Sequence, residues 1–208
     1  MQQLTAVLVV CWAGTAAAEG EVVSNFNAAG SHAFAPVYGE ALPPVGYVEF
    51  CARVPAECKP LGNSNAKLAL TSERWQVLGD INSVVNRKIR PAHDIDLHGV
   101  PERWSIPTEV GDCEDYVLLK KRYLEGLGFP AESLLITVVL DERGGGHAVL
   151  LVRTSAGDFV LDNRRDEVKR WSDTGYFLLK RQSQEDPLQW VALTSRNTPD
   201  PGAIAGGN

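Results

Sequence analysis

The hydrophobic period of this chain changes between Gly126 and Leu134, and that change constrains its fold more than any other feature. Upstream, Tyr116, Leu119, Tyr123, Leu124 and Leu127 recur at helical spacing, which predicts a helix from about Asp112 to Gly126. Gly126, Gly128 and Pro130 supply its stop signal. Downstream the pattern is that of strands. Leu134 to Leu140 is a continuous β-prone run, Gly144-Gly145-Gly146 turns the chain, and Ala148 to Val152 runs back. After a turn at Ser155 to Asp158, further strands are expected at Phe159 to Leu161, Tyr176 to Leu179 and Trp190 to Leu193. One helix packed on an antiparallel sheet is an α+β layout.

The remainder of the chain frames that unit. At 208 residues, 44% hydrophobic and 22% charged, it suits one domain with a real core. A net charge of −6 with no basic cluster argues against nucleic acid as a partner. Residues 1–18 carry no charged side chain and end in Ala16-Ala17-Ala18, which reads as a cleaved secretory signal and implies a periplasmic protein. No Lys or Arg follows Met1, a departure from the usual signal, and Val10 before Cys11 does not fit a lipoprotein site. Residues 19–44 read as an extended lead-in, 45–195 as the folded domain and 196–208 as a flexible tail. Within the domain, Trp75, Leu78, Ile81, Val85 and Ile89 predict a helix from Ser72 capped by Thr71 or Ser72. Val45 to Leu61 holds the two cysteines and a Pro-containing loop, and Arg90 to Val110, with three prolines, is read as a long connection of the kind that is often functional.

Export leaves three cysteines: Cys51, Cys58 and Cys113. The first two are close enough to pair in an oxidising compartment, although two buried thiols would fit the spacing as well. Cys113 is then the odd thiol, placed in the first turn of its helix, where unpaired backbone N–H groups favour the thiolate. His147 opens one expected strand and Asp162 closes its neighbour. The two can meet at one sheet edge if a bulge or a diagonal reach makes up their register difference. Cysteine, imidazole and carboxylate so arranged are the parts of a nucleophile, a general base and an orienting acid. Asn163 is an alternative orienting group. Asp112, Glu114 and Asp115 ring the cysteine; they complement the helix N-terminus or form a site for a hard cation such as Ca²⁺. His32, His93 and His98 have no partners at metal-ligand spacing, Trp75, Trp171 and Trp190 are expected in the core, and Trp104 is placed at the substrate cleft.

The strings Gly111-Asp112-Cys113-Glu114-Asp115-Tyr116, Gly146-His147-Ala148-Val149-Leu150 and Val160-Leu161-Asp162-Asn163 resemble the bacterial transglutaminase-like cysteine proteinases. The resemblance extends from about Phe50 to Leu193 and takes in Val85-Asn86, Trp104 and Trp171. It implies a papain-like fold with Cys113 as nucleophile, His147 as base and Asp162 as orienting acid. It also implies calcium held by Asp112 and Glu114, with Asp115 next. Further implications are a protein substrate, in some members a large surface adhesin, and an inner-membrane cyclic-di-GMP receptor that sequesters the enzyme. Two other functions share these residues: a transglutaminase-type acyltransferase, in which an amine intercepts the thioester, and a non-catalytic calcium-dependent binding module.

Overall fold

The computed structural model describes residues 33–61 and 66–195. The signal segment 1–18, residues 19–32 of the lead-in, His32 and the tail 196–208 lie outside the described residues. Chain order is β1 (Gly39–Ala41), α1 (Val45–Arg53), α2 (Ser72–Lys88), β2 (Arg90–Pro91), α3 (Asp94–His98), β3 (Val110–Gly111) and α4 (Cys113–Gly126). Six strands follow: β4 (Leu134–Leu140), β5 (Gly146–Thr154), β6 (Gly157–Asp162), β7 (Arg165–Arg170), β8 (Phe177–Gln182) and β9 (Trp190–Ala192).

Seven strands form one sheet in the order β1-β9-β8-β4-β5-β6-β7, each pair antiparallel. β2 and β3 pair separately and in parallel. The central strands are buried on both faces, which is why Leu134–Leu140 reads as a continuous apolar run rather than an alternation. On one face Leu134, Ile136, Val138, Ala148, Leu150, Val152, Phe159 and Leu161 join Leu118 and Leu124 of α4 in the main core. On the other, Leu135, Val139, Val149, Leu151, Val160 and Leu178 form a second cluster with Ala35. α2 and α4 meet each other through Val85, Ile89, Tyr116 and Leu119. Each fully buried aliphatic side chain here contributes about 1.5–3 kcal/mol.

The α+β expectation therefore holds, with corrections. Val45 to Leu61 also holds a helix that its spacing does not announce: α1, followed by a short 3-10 turn at Pro55–Cys58 and stapled to it by a Cys51–Cys58 disulfide. α1 packs Tyr47 and Phe50 into the main core, and Tyr47 makes edge contacts with both Trp104 and Trp190. The long connection contains α3 and the two-residue strands β2 and β3. Trp104 does not reach a cleft. It is fully buried, its Nε1–H donates to Glu102 Oε1, and α1 closes over it. α2 starts as expected, with Thr71 Oγ1 accepting from the Arg74 N–H.

Candidate active site and acidic cluster

α4 and β5 position the nucleophile candidate. The helix opens at Cys113 and packs on β5, so its first turn lies at the end of the sheet where β5 begins. Cys113 is half-buried and unpaired, and the backbone N–H of Ala148 reaches its sulfur. Cys113 and Gly146 share one wall of a cleft of about 680 Å³, together with Ala92, His93, Asn163 and Arg164.

β5 and β6 position the base and the acid. Their register pairs Leu150 with Leu161, and one step further Asp162 falls opposite Val149. His147 is two residues from Val149, hence on the same face and diagonal to Asp162. His147 Nε2 lies 2.9 Å from Asp162 Oδ1. The diagonal reach suffices on this side, and the irregularity in register falls between β6 and β7. Burial pushes the Asp162 carboxyl up, but hydrogen bonds from His147, the Tyr176 hydroxyl and the Arg164 N–H, with the charge of His147, hold it down at about 2. An ionised carboxylate only accepts, so Nε2 donates to it. Nδ1 is buried and has no hydrogen-bond partner. It is Asp162, not Asn163, that bonds the imidazole; Asn163 lines the cleft. Asn86 of α2 fixes the turn that carries Asp162, its Nδ2 donating to the carbonyls of Asp162 and Arg165.

The acids beside Cys113 divide into two groups. Asp115 turns to the preceding loop, where its Oδ1 accepts from the Ser105 N–H at 2.7 Å. It packs so tightly under Gly111 that a Cβ there would stand 2.7 Å from Asp115 Oδ2, which explains the glycine. Asp112 and Glu114 instead converge with Asp94 of α3, one oxygen of each lying within 4.8 Å of the others. Asp112 stands at the N-cap of α4 without a side-chain capping bond. Asp94 Oδ1, Asp112 Oδ1 and Glu114 Oε1 are all buried without a hydrogen-bond partner. Burial raises all three carboxyls, and mutual repulsion adds to it for Asp112, at about 6, and for Glu114. Three converging carboxylates, each with an orphaned buried oxygen, fit a hard cation. Asp115, raised to about 8 by burial and by the Asp112 charge, has its Ser105 partners instead.

The Cys113 thiol donates to Glu114 Oε2 at 2.9 Å. Burial and then the Glu114 and Asp112 charges push its pKa well up, while the Ala148 N–H pulls it back. Sequence reading missed Asp94, which sits in the proline-containing connection with no local signal to mark it, and Tyr176, which reads only as the start of a strand. His93 lines the cleft, and His98 Nε2 lies 4.0 Å from Asp94 Oδ1.

A thiol at a helix N-terminus and a carboxylate-paired histidine at the start of the strand that helix packs on, in a helix-against-sheet frame, are the parts of a cysteine peptidase with a papain-like fold. The sequence profile of the bacterial transglutaminase-like cysteine proteinases matches residues 37–198, and the chain belongs to that family. Its structure is similar to calcium-bound LapG of Legionella pneumophila, with TM-score 0.50 and 22% identity over 63% of this chain and 75% of that one. It is similar also to EGTA-treated LapG of the same organism, with TM-score 0.50 and 23% identity over 62% and 72% of the two chains. Among curated proteins none matches.

Proposed function

We propose that this cysteine peptidase is an exported, calcium-dependent endopeptidase in which Cys113 is the nucleophile, His147 the general base and acid, and Asp162 the orienting carboxylate. The observation that carries the reading is the 2.9 Å His147 Nε2–Asp162 Oδ1 contact, which leaves a buried, unpartnered Nδ1 one residue from the N–H that reaches the Cys113 sulfur. Nδ1 takes the thiol proton, and the thiolate adds to a peptide carbonyl carbon. The oxygen that becomes negative is met by the N–H groups of the first turn of α4. The imidazolium then protonates the amine as the C–N bond breaks. Water, deprotonated by Nδ1, cleaves the thioester and regenerates the thiol.

Asp94, Asp112 and Glu114 are the residues that would hold calcium. When bound, the ion supplies positive charge that offsets the three carboxylates flanking the nucleophile. Legionella pneumophila LapG in its calcium-bound form supports the choice of metal. Export is supported by the uncharged apolar segment 1–18 with its Ala16-Ala17-Ala18 end, and by the Cys51–Cys58 disulfide, which belongs to an oxidising compartment such as the periplasm. On the family resemblance, we propose a large surface adhesin as the substrate and an inner-membrane cyclic-di-GMP receptor as the sequestering partner.

The test is cleavage of exported adhesin N-terminal fragments with calcium chloride, with EGTA, and by Cys113→Ala. Discrete cuts lost with EGTA and in the variant are expected. Cuts that persist in Cys113→Ala would overturn the nucleophile, and cuts that persist in EGTA would remove the cation. Amine incorporation into a glutamine substrate without hydrolysis would overturn the endopeptidase in favour of acyl transfer.

A further inference from the structure

Asp162 has a second oxygen, and a second residue holds it. The Tyr176 hydroxyl lies 2.6 Å from Asp162 Oδ2, while Asp162 Oδ1 accepts from His147 and from the Arg164 N–H. The same tyrosine ring packs edge-on to the imidazole, with centroids 5.6 Å apart and planes at 78°. One side chain thus touches both partners of the His147–Asp162 pair. It is itself braced: the Tyr176 N–H donates to Thr174 Oγ1, which donates to the Trp171 carbonyl, and the Arg165 guanidinium stacks 5.4 Å from its ring centre.

We propose that Tyr176 is a positioning residue of the active site, its hydroxyl fixing the Asp162 carboxylate and sharing its charge while its ring sets the plane of His147. The inference rests on the triad reading above and adds a member to it. Burial and the Asp162 charge both push the hydroxyl pKa up, so the tyrosine stays protonated and remains a donor. Charged groups facing this pair include Lys120 on α4, Arg164 in the β6–β7 turn, Arg165 on β7 and Glu142 in the β4–β5 loop. With the hydroxyl gone, Asp162 keeps its Arg164 and His147 bonds, but Oδ2 loses its donor in a buried setting. The carboxylate is then free to turn away from His147, and the imidazole loses the partner that fixes its plane.

The experiment measures kcat and KM for cleavage of an adhesin N-terminal fragment in calcium chloride, with the thermal midpoint of each variant alongside. Tyr176→Phe keeps the ring and removes one hydrogen bond to a charged group, so kcat should fall about 10-fold while KM and the thermal midpoint stay near the wild type. Tyr176→Leu removes the ring as well and should lower kcat further. His147→Ala runs alongside. If it abolishes cleavage while Tyr176→Phe keeps the wild-type kcat, or loses rate only in step with its thermal midpoint, the role of Tyr176 is overturned and the triad stands. If His147→Ala cleaves as the wild type does, the triad itself is overturned and Tyr176 with it.

Discussion

Lys120 Nζ, buried on α4 two turns below Cys113, reaches Asn82 Oδ1 of α2 at 2.7 Å. Asn82 in turn donates to the carbonyls of Arg165 and Asp166, so a buried ammonium group braces the strand that follows Asp162. Burial lowers the Lys120 pKa from 10.5 to about 7, with Asp162 and Asp166 acting against the shift.

That shift has a sign. Between pH 7 and 10 the unfolded chain binds the lysine proton and the folded chain releases it, so stability rises with pH in this window. From pH 7 to 9 the wild type should gain about 2 kcal/mol from this residue. Urea unfolding at the two pH values measures the slope, and Lys120→Met should abolish it. Equal slopes in the two proteins would place the proton elsewhere.

Asp162 gives a slope of the same sign at the acid end. Its folded pKa of about 2 lies below the ordinary 3.8, so its contribution is complete above about pH 4 and is lost as pH falls through 2. The stability gap between wild type and Asp162→Asn should shrink by about 2 kcal/mol between pH 5 and pH 2. Under the triad reading the same variant lowers kcat/KM by about 100-fold at neutral pH. Activity within twofold of wild type would mean that Asp162 does not orient the base.

These two residues show what the sequence displays and what it hides. Helical spacing located α4 and α2 within a residue or so, because each buries a stripe against the core. Continuous apolar runs located β4 and β5, because both faces of those strands are covered. β7 escaped notice: Arg165–Arg170 is an edge strand of mostly charged residues, and only Val168 is buried. α1 was obscured by Pro44, Gly46 and Pro55, although Gly46 is required there by Trp104. Cys113, His147 and Asp162 stand in local strings that could be read in order. Asp94 and Tyr176 join them only through long-range packing, and no local spacing announces that.

The acidic cluster separates residues that look alike in the sequence. Asp94→Asn and Glu114→Gln each remove an oxygen ligand and should weaken calcium binding by more than about 10-fold in calorimetry. Asp115→Ala should leave calcium affinity nearly unchanged and lower stability, because the Ser105 N–H loses its acceptor. Equal losses of affinity at Asp94 and Asp115 would rule out this division.

Chelation should act on the nucleophile directly. Without a cation, the Glu114 and Asp112 charges oppose ionisation of the Cys113 thiol. Alkylation by iodoacetamide at pH 7 should therefore slow by about 10-fold or more in EGTA, a change of one pKa unit or greater. The rate should recover on adding calcium chloride. An EGTA-insensitive rate would uncouple the cluster from the thiol.

The contact between α1 and the loop that supports Asp115 offers a test remote from the chemistry. A Cβ added at Gly46 would stand 2.5 Å from Trp104 Cδ1, and Trp104 is fully buried against Tyr47. The indole cannot retreat easily, since its Nε1–H is bonded to Glu102 and the Trp104 backbone carbonyl accepts from Arg53 Nη2 at 2.8 Å. Gly46→Ala should therefore cost about 1–3 kcal/mol of overpacking, more than any gain in helix propensity returns. Because Ser105 follows Trp104 directly and donates to Asp115, the strain should spread toward the first turn of α4. Hydrogen exchange at the Ser105 amide reads that spread: faster exchange in the variant is expected, whereas a destabilised protein with unchanged exchange there would confine the effect to α1.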